Sequence, residues 1–150
     1  MVTGVRVSPL AATYRRGKDM TFTATVYGQY DYPQTVTWEV EGNTSADTSI
    51  SEDGVLTVGA DETAAVLAVT ATSTYDISKF NTAIVVMAGD VNGDGKVDTT
   101  DARLVLQNIV GKAEFNDGQQ MAADVSGDDT INTVDARLIL QYIVGKISGF

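Results

Sequence analysis

Two stretches of this chain, starting 34 residues apart, have almost the same sequence. Residues 90–112 read DVNGDGKVDTTDARLVLQNIVGK, and residues 124–146 read DVSGDDTINTVDARLILQYIVGK, with identical residues at fifteen of the twenty-three aligned positions. Each stretch begins with twelve mostly polar residues and continues with apolar residues at helical spacing. A fold for this chain must therefore accommodate the same loop and the same helix twice.

Both twelve-residue segments carry oxygen donors at the positions that wrap a short loop around one Ca²⁺. We define residues 90–101 as loop 1 and residues 124–135 as loop 2, and the sequence predicts two bound Ca²⁺, one in each. The expected ligands of loop 1 are Asp90, Asn92, Asp94, the carbonyl of Lys96, Asp98 (directly or through water) and Asp101 as the bidentate closing residue. Those of loop 2 are Asp124, Ser126, Asp128, the carbonyl of Thr130, Asn132 and Asp135.

Loop 2 departs from the usual pattern at two positions. Ser126 occupies position 3, where Asn or Asp is a stronger donor, and Asp129 occupies position 6, where loop 1 has Gly95. A left-handed backbone at position 6 favours glycine and would cost an aspartate on the order of 1 kcal/mol. Loop 1 also has four anionic ligands, whereas loop 2 has three. We expect the Ca²⁺ site of loop 2 to be the weaker one.

The residues after each loop predict two amphipathic helices, at about Thr99–Val110 and Thr133–Val144, each followed by a glycine. We expect their apolar stripes to pack on each other as a core; the stripes are Ala102, Val105, Leu106 and Ile109, repeated as Ala136, Ile139, Leu140 and Ile143. Other positions are repeated too, although a purely solvated face needs no repetition. This repetition indicates a partner-binding surface made of Thr99, Thr100, Arg103 and Gln107, with Thr133, Val134, Arg137 and Gln141 as the duplicates.

Up to Met87 the apolar residues alternate in short runs, for example at Leu67, Val69 and Ala71, and turn signals such as Asp53-Gly54 separate the runs. This pattern predicts an antiparallel β-sandwich. The segments VRVSPLAATYRRGKDMTFTATV, QTVTWEV, SEDGVLTVGADE and LAVTATSTYD resemble the bacterial immunoglobulin-like family, group 2. The resemblance implies a sandwich, in a family often found in secreted and cell-surface proteins, and implies little about activity.

Both loops close with aspartate rather than glutamate, and we expect no amphipathic helix before either of them, only a short turn such as 117–123 before loop 2. The segments GDVNGDGKVDTTDARLVLQNIVGK and ADVSGDDTINTVDARLILQYIVGK resemble the dockerin family, type I. The resemblance implies a non-catalytic module that folds on binding Ca²⁺ and binds a cohesin domain of a scaffold protein. Such modules mount secreted glycan-degrading enzymes into cellulosome complexes. Dockerins generally read the cohesin at loop positions 10 and 11, here Thr99-Thr100 and Thr133-Val134.

We therefore expect two domains: an all-β immunoglobulin-like sandwich over residues 1–87, followed by a small all-α domain of two calcium loop–helix segments over residues 88–150. The expected function is attachment of a secreted, polysaccharide-degrading protein to a scaffold, with an extracellular location. The alternative is an adhesin or carbohydrate-binding sandwich that the calcium domain merely stiffens. The sequence contains no His and no Cys, which removes His-dependent triads and thiolate metal sites, and we expect no enzyme.

Charge and aromatic residues bear on the remaining partners. The net charge is −10 and there is no large basic cluster, which disfavours nucleic acid and anionic membranes as partners. Tyr27, Tyr30 and Tyr32 stand near Trp38 in the sequence, an arrangement that could stack on sugars. Trp38 is in phase with the alternating apolar residues of its strand, so we interpret it as a core residue and expect no direct glycan binding.

Overall fold

The computed structural model describes all 150 residues, and their contacts divide them into two compact units. Neither unit is one continuous segment. The first unit comprises Met1–Ala12, Arg16–Glu62 and Val66–Val85, and the second comprises Thr13–Arg15, Thr63–Ala65 and Val86–Phe150. No helix in the chain combines the length and the apolar character that crossing a membrane requires.

Nine strands form three small sheets. β1 pairs with β4, the strands β2, β9, β8 and β5 lie side by side in that order, and β3, β7 and β6 form the third sheet. The strands are β1 Val2–Ser8, β2 Ala11–Tyr14, β3 Asp19–Thr21, β4 Thr23–Gly28, β5 Val36–Glu41, β6 Ser49–Ile50, β7 Val55–Thr57, β8 Val66–Ser73 and β9 Phe80–Met87.

The core of the first unit follows from the alternation of the strands. Successive side chains of a strand point to opposite faces, and Leu67, Val69 and Ala71 of β8 are fully buried. Because β1 packs against β8, two sheets enclose these side chains as in a sandwich. The predicted sandwich is confirmed for this unit. Trp38, expected in the core, is half-buried, and its ring packs 6.5 Å from that of Phe22, centroid to centroid.

Three short helices and long irregular loops make up residues 88–150. The helices are α1 Thr99–Ile109, α2 Asp117–Ala123 and α3 Thr133–Ile143, with 11, 7 and 11 residues. The expected all-α class for this region is therefore wrong, and the chain as a whole is mostly β. The reason is local: each loop contains residues at positive φ, such as Gly93 (72°) and Gly95 (81°), which a right-handed helix cannot include.

α1 packs against α3 over a narrower stripe than the sequence indicated. The buried cluster consists of Val91, Ala102, Val105, Ala123, Val125, Ala136 and Ile139. Leu106, Ile109 and Leu140 were expected in this core, but they are 44%, 38% and 42% exposed. α1 and α3 pack mainly on each other, and loop and α2 residues complete the cluster, so the helix positions that face away from it stay exposed. Three large apolar side chains are left at the surface.

α2 corrects a second expectation, because a helix does precede loop 2. Asn116 caps it: the Gln119 N–H donates to Asn116 Oδ1 (2.9 Å), and the Asn116 N–H donates to Gln119 Oε1 (3.2 Å). This reciprocal pair is a capping box. The predicted bounds of α1 and α3 are correct to within one residue, since Val110 and Val144 are their C-caps.

Candidate functional site

Loop 1 folds back over the buried side chain of Asp90. The carboxylate oxygens of Asp90 accept main-chain N–H bonds from Asp94 (3.0 Å) and Gly95 (2.9 Å). Asn92 Oδ1 also accepts from the Asp94 N–H (3.0 Å), and Asn92 Nδ2 donates to Asp94 Oδ2 (2.9 Å). Asp94 Oδ1 accepts from the Lys96 N–H (2.9 Å). The loop thus brings together three of the predicted ligands, Asp90, Asn92 and Asp94.

Asp101, the predicted closing ligand, is fully buried and joins the start of loop 1 to the start of α1. Its Oδ1 accepts from the N–H groups of Val91 (2.8 Å) and Asn92 (3.1 Å), and its Oδ2 accepts from the Asp98 N–H (2.8 Å). Asp98 is the N-cap of α1 and accepts from the Thr100 N–H (2.7 Å). Two predicted ligands therefore also cap the helix.

Electrostatics distinguishes the buried carboxylates of Asp90 and Asp101 from the half-buried Asp98. Burial raises the pKa of Asp90 and of Asp101, against the opposing effect of their N–H donors. The Thr100 main-chain N–H, helped by its side chain, lowers the pKa of Asp98. Neutral main-chain N–H groups donate the hydrogen bonds that Asp90 and Asp101 accept. Ionised, these two groups are buried negative charges that a cation would stabilise.

Loop 2 repeats this arrangement around Asp124. Its Oδ1 accepts from the N–H groups of Gly127 (2.8 Å) and Asp128 (3.2 Å), and its Oδ2 accepts from the Asp129 N–H (2.9 Å). The Ser126 hydroxyl lies 3.1 Å from Asp124 Oδ1 and donates to it. Asp124, Ser126 and Asp128, all predicted ligands, lie together as their counterparts do in loop 1.

Asp135, fully buried, closes loop 2 with one main-chain hydrogen bond fewer than Asp101 accepts. It accepts from the N–H groups of Ser126 (3.0 Å) and Asn132 (2.9 Å). Asn132 caps α3 by accepting from the Val134 N–H (2.7 Å), and its Nδ2 donates to the Thr130 carbonyl (3.2 Å). The side-chain amide of Asn132 thus donates to the Thr130 carbonyl, which the sequence predicts to be a calcium ligand.

Position 6 differs between the loops as the sequence predicted. Asp129 is the one non-glycine residue with positive φ in the chain, at 61°, and Gly95 has φ 81°. A Cβ at Gly95 would lie 2.7 Å from the Thr63 carbonyl oxygen, which is too close for any side chain. Asp129 instead lines an open groove of about 440 Å³ with other residues of the second unit, including Met121. Position 6 of loop 1 requires glycine because its φ is positive and because the Thr63 carbonyl leaves no space for a Cβ. Position 6 of loop 2 has space for a side chain.

The chemistry of the two loops fits Ca²⁺, a hard cation that takes six to eight oxygen ligands. Each loop offers carboxylate, amide or hydroxyl, and carbonyl oxygens, and loop 1 holds two buried carboxylates whose pKa burial raises. The carboxylates accept hydrogen bonds from main-chain N–H groups. No three acidic side chains lie close enough together to hold a metal ion in this conformation.

The helices present the predicted partner-binding residues together with apolar residues that the sequence pattern had placed in the core. Thr99, Arg103, Leu106 and Val110 are all exposed and follow one face of α1 at spacings of four, three and four residues. The same face of α3 carries exposed Thr133, Arg137, Leu140 and Val144. Thr100, Gln107 and Gln141 are half-buried, and Val134 is 37% exposed.

The two repeats expose these apolar residues almost equally: Leu106 and Leu140 at 44% and 42%, Val110 and Val144 at 67% each. Equal exposure of the same residue type at duplicated positions is the signal that marks these apolar residues as surface rather than core residues. We define the four residues of α1 and the four of α3 named in the preceding paragraph as face 1 and face 2.

Two protein families match the chain. The bacterial Ig-like domain (group 2) matches residues 1–80, and the dockerin type I domain matches residues 88–144. A curated relative, the major capsid protein of Bacillus phage B103, is 52% identical over 62 residues, which are 41% of this chain. The chain spans 14% of the length of that relative.

Solved structures similar to this chain come from Acetivibrio cellulolyticus. One is the third cohesin ScaC in complex with the ScaB dockerin, 43% identical, covering 39% of this chain and 84% of that chain, with a TM-score of 0.38. Another is the sixth cohesin of scaffoldin B in complex with a mutated Cel5 dockerin, 29% identical, covering 42% and 98% of the respective chains, with a TM-score of 0.40.

Proposed function

Because the chain belongs to the group 2 bacterial Ig-like family and carries a type I dockerin domain, we propose that it is a calcium-dependent attachment module. Both families are non-catalytic modules, and type I dockerins are calcium-binding parts of extracellular cellulosome components. The module binds a cohesin domain of a scaffold protein and thereby attaches a secreted glycan-degrading protein to it. By sequence the proposed domains are residues 1–87 and 88–150, although the contacts group residues 13–15 and 63–65 with the second, and the first domain serves as a spacer or companion.

Calcium is the first element of the proposal, with one ion in each loop. The opening carboxylates Asp90 and Asp124 and the closing carboxylates Asp101 and Asp135 would hold the ion in addition to their N–H donors, and the ion would neutralise their negative charge. The other ligands are those given by loop position: Asn92, Asp94, Lys96 carbonyl and Asp98, and Ser126, Asp128, Thr130 carbonyl and Asn132. Since the unfolded chain has no such site, binding free energy becomes folding free energy of the loops and their helices.

The duplicated surface carries the cohesin proposal. Each face has a threonine at the helix start, a central arginine, and two exposed apolar side chains. Apolar residues around an arginine are typical of the centre of a protein–protein interface. Thr100, Gln107, Val134 and Gln141 flank these faces and complete the predicted set. An isolated helical core would have no need to expose the same leucine and valine twice.

A second candidate function rests on exposed tyrosines of the first unit. Tyr30 and Tyr75 are 79% and 62% exposed, and the Tyr75 ring lies 5.0 Å from that of Tyr32, centroid to centroid. Aromatic rings at a surface can stack on sugars, which favours a carbohydrate-binding or adhesin role. The two candidates use different surfaces, so variants can separate them.

The test compares binding of the full chain to a panel of type I cohesins and to a panel of polysaccharides, in calcium buffer. We expect binding to at least one cohesin and to no polysaccharide. A variant with Leu106→Asp and Leu140→Asp should lose the cohesin, whereas Tyr30→Ala with Tyr75→Ala should retain it. Polysaccharide binding that the tyrosine variant abolishes, without cohesin binding, would overturn the proposal in favour of the second candidate.

A further inference from the structure

The second unit contains two short segments from early in the chain. The Tyr14 carbonyl accepts the Ala88 N–H (3.0 Å), and the Tyr14 hydroxyl, almost fully buried, donates to the Ala64 carbonyl (2.6 Å). The Met87 N–H donates to the Ala65 carbonyl (3.3 Å). These bonds fix the main chain two residues before loop 1 begins. Residues 13–15 and 63–65 are therefore structural parts of the unit that carries the loops.

Arg15, the residue after Tyr14, lies at loop 2. Its Nη2 donates to the Val125 carbonyl at 3.3 Å, and it also lies 3.8 Å from where a Cβ of Gly127 would be. Val125 stands between Asp124 and Ser126, the first two predicted oxygen donors of loop 2. A guanidinium bound to that carbonyl restrains the main chain from which both donors project.

Charge gives this contact a second consequence. Loop 1 contains four acidic residues and its own cation, Lys96, whereas loop 2 contains four acidic residues and has Thr130 at the equivalent position. The guanidinium of Arg15 brings to loop 2 the positive charge that its own sequence lacks. Because Arg15 is half-buried, this charge is screened less than that of a fully exposed side chain.

We propose that Arg15 is a positioning residue of loop 2, which holds the Val125 main chain in place and supplies the loop with its cation. The segment that builds the metal- and partner-binding module therefore starts well before residue 88. The contact is specific to loop 2, since the corresponding carbonyl of loop 1, at Val91, accepts from the uncharged Gln119 side chain (3.3 Å). This inference does not depend on the identity of the partner protein.

The test is amide hydrogen exchange on the full chain in calcium buffer, comparing loop 2 with loop 1. Arg15→Ala should speed exchange of the Gly127, Asp128 and Asp129 N–H groups on the order of tenfold, the change expected on losing a charge-assisted hydrogen bond. Exchange of the Asp94 and Gly95 N–H groups in loop 1 should stay unchanged. Arg6→Ala is the matched control, with the same change of charge at an exposed position in β1.

Arg15→Lys keeps the charge without the planar guanidinium and should give a smaller acceleration, again confined to loop 2. It also serves if the alanine variant does not fold. Unchanged exchange in loop 2 of Arg15→Ala would overturn the proposal. Equal acceleration in both loops would overturn it as well, because Arg15 would then support the whole unit rather than position loop 2.

Discussion

Loops 1 and 2, with the helices that follow them, share the same arrangement of hydrogen bonds and helix caps but differ at individual positions. Both open on an aspartate that collects main-chain N–H groups, close on a fully buried aspartate, and start their helix with a capping box. They differ at position 6, where Gly95 lies against the Thr63 carbonyl and Asp129 faces a groove. They differ also at position 9, where loop 1 has Asp98 and loop 2 has Asn132.

The two loops show which residue positions are determined by hydrogen bonds within the loop and which are determined by neighbouring parts of the structure. Opening and closing aspartates satisfy N–H groups inside each loop, so both copies keep them. Position 6 needs a positive φ in both copies, but it needs glycine only where a neighbouring main chain leaves no space for Cβ. The copies therefore diverge where they meet different neighbours.

The largest expected effect concerns faces 1 and 2. Near-identical faces suggest that a cohesin can bind either one, in two orientations related by a half turn. Thr99→Asp with Arg103→Ala on face 1 should therefore leave substantial affinity, as should Thr133→Asp with Arg137→Ala on face 2. All four changes together should weaken binding about a thousandfold or more, because no intact arginine-centred face remains. Calorimetry with one cohesin measures this, and loss of binding on changing one face alone would show that the faces are not equivalent.

The closing aspartates should come next. Asp101→Ala leaves three main-chain N–H groups without an acceptor and Asp135→Ala leaves two. At about 1 kcal/mol or more for each, we expect the lost hydrogen bonds to lower the free energy of unfolding by about 3 and about 2 kcal/mol in calcium, in addition to the effect of losing a metal ligand. Denaturant unfolding followed by helical circular dichroism measures both. Glu114→Ala, at an exposed position, controls for the lost charge, and equal losses for the two aspartates would contradict the count of hydrogen bonds.

Exchanging the residues at position 6 should give effects of opposite sign. Gly95→Asp should destabilise the second unit by about 2 kcal/mol, because its Cβ would meet the Thr63 carbonyl in addition to the left-handed strain. Asp129→Gly should stabilise it by up to about 1 kcal/mol, since the strain is relieved and no contact is lost. The same unfolding assay applies. If Asp129→Gly were destabilising, the Asp129 side chain would be making a contact that the groove does not reveal.

The smallest effect is expected at position 9. Asn132→Asp should raise the calcium affinity of loop 2 a few-fold, since it adds an anionic donor and frees the Thr130 carbonyl from the Asn132 amide. Asp98→Asn should lower that of loop 1 by a similar factor. Calcium titration calorimetry should resolve both changes against a wild-type chain in which loop 1 binds more tightly. No change at either position would place residue 9 outside the coordination shell.

The sequence predicted what depends on local chemistry. The glycines that end the helices, the bounds of α1 and α3, and the positive φ at Asp129 all follow from residue type and spacing, and the structure confirms them. Helix α2 was missed even though Asn116 and Gln119 form a capping box, because a seven-residue segment with Gly118 has little periodicity or helix propensity.

What the sequence could not predict depends on tertiary neighbours. Leu106 and Leu140 fit the apolar periodicity of a core stripe, but the residues packed around α1 and α3 cover only part of that stripe. The approach of the Thr63 carbonyl to Gly95, and of Arg15 to Val125, joins residues far apart in the chain. No pattern within one segment encodes such contacts. The prediction of an all-α domain over residues 88–150 was wrong for a related reason, because the residues of the two loops were assigned to the same class as the helices that follow them.

We propose above all that calcium orders the loops and so creates the cohesin-binding faces. The most direct test of this proposal is a titration of the full chain with a type I cohesin that it binds, first in calcium, then in excess chelator, then after calcium is restored. We expect saturable one-to-one binding in calcium, no detectable binding in chelator together with loss of helical circular dichroism, and full recovery when calcium is restored. Undiminished affinity in chelator, with the helices intact, would contradict it.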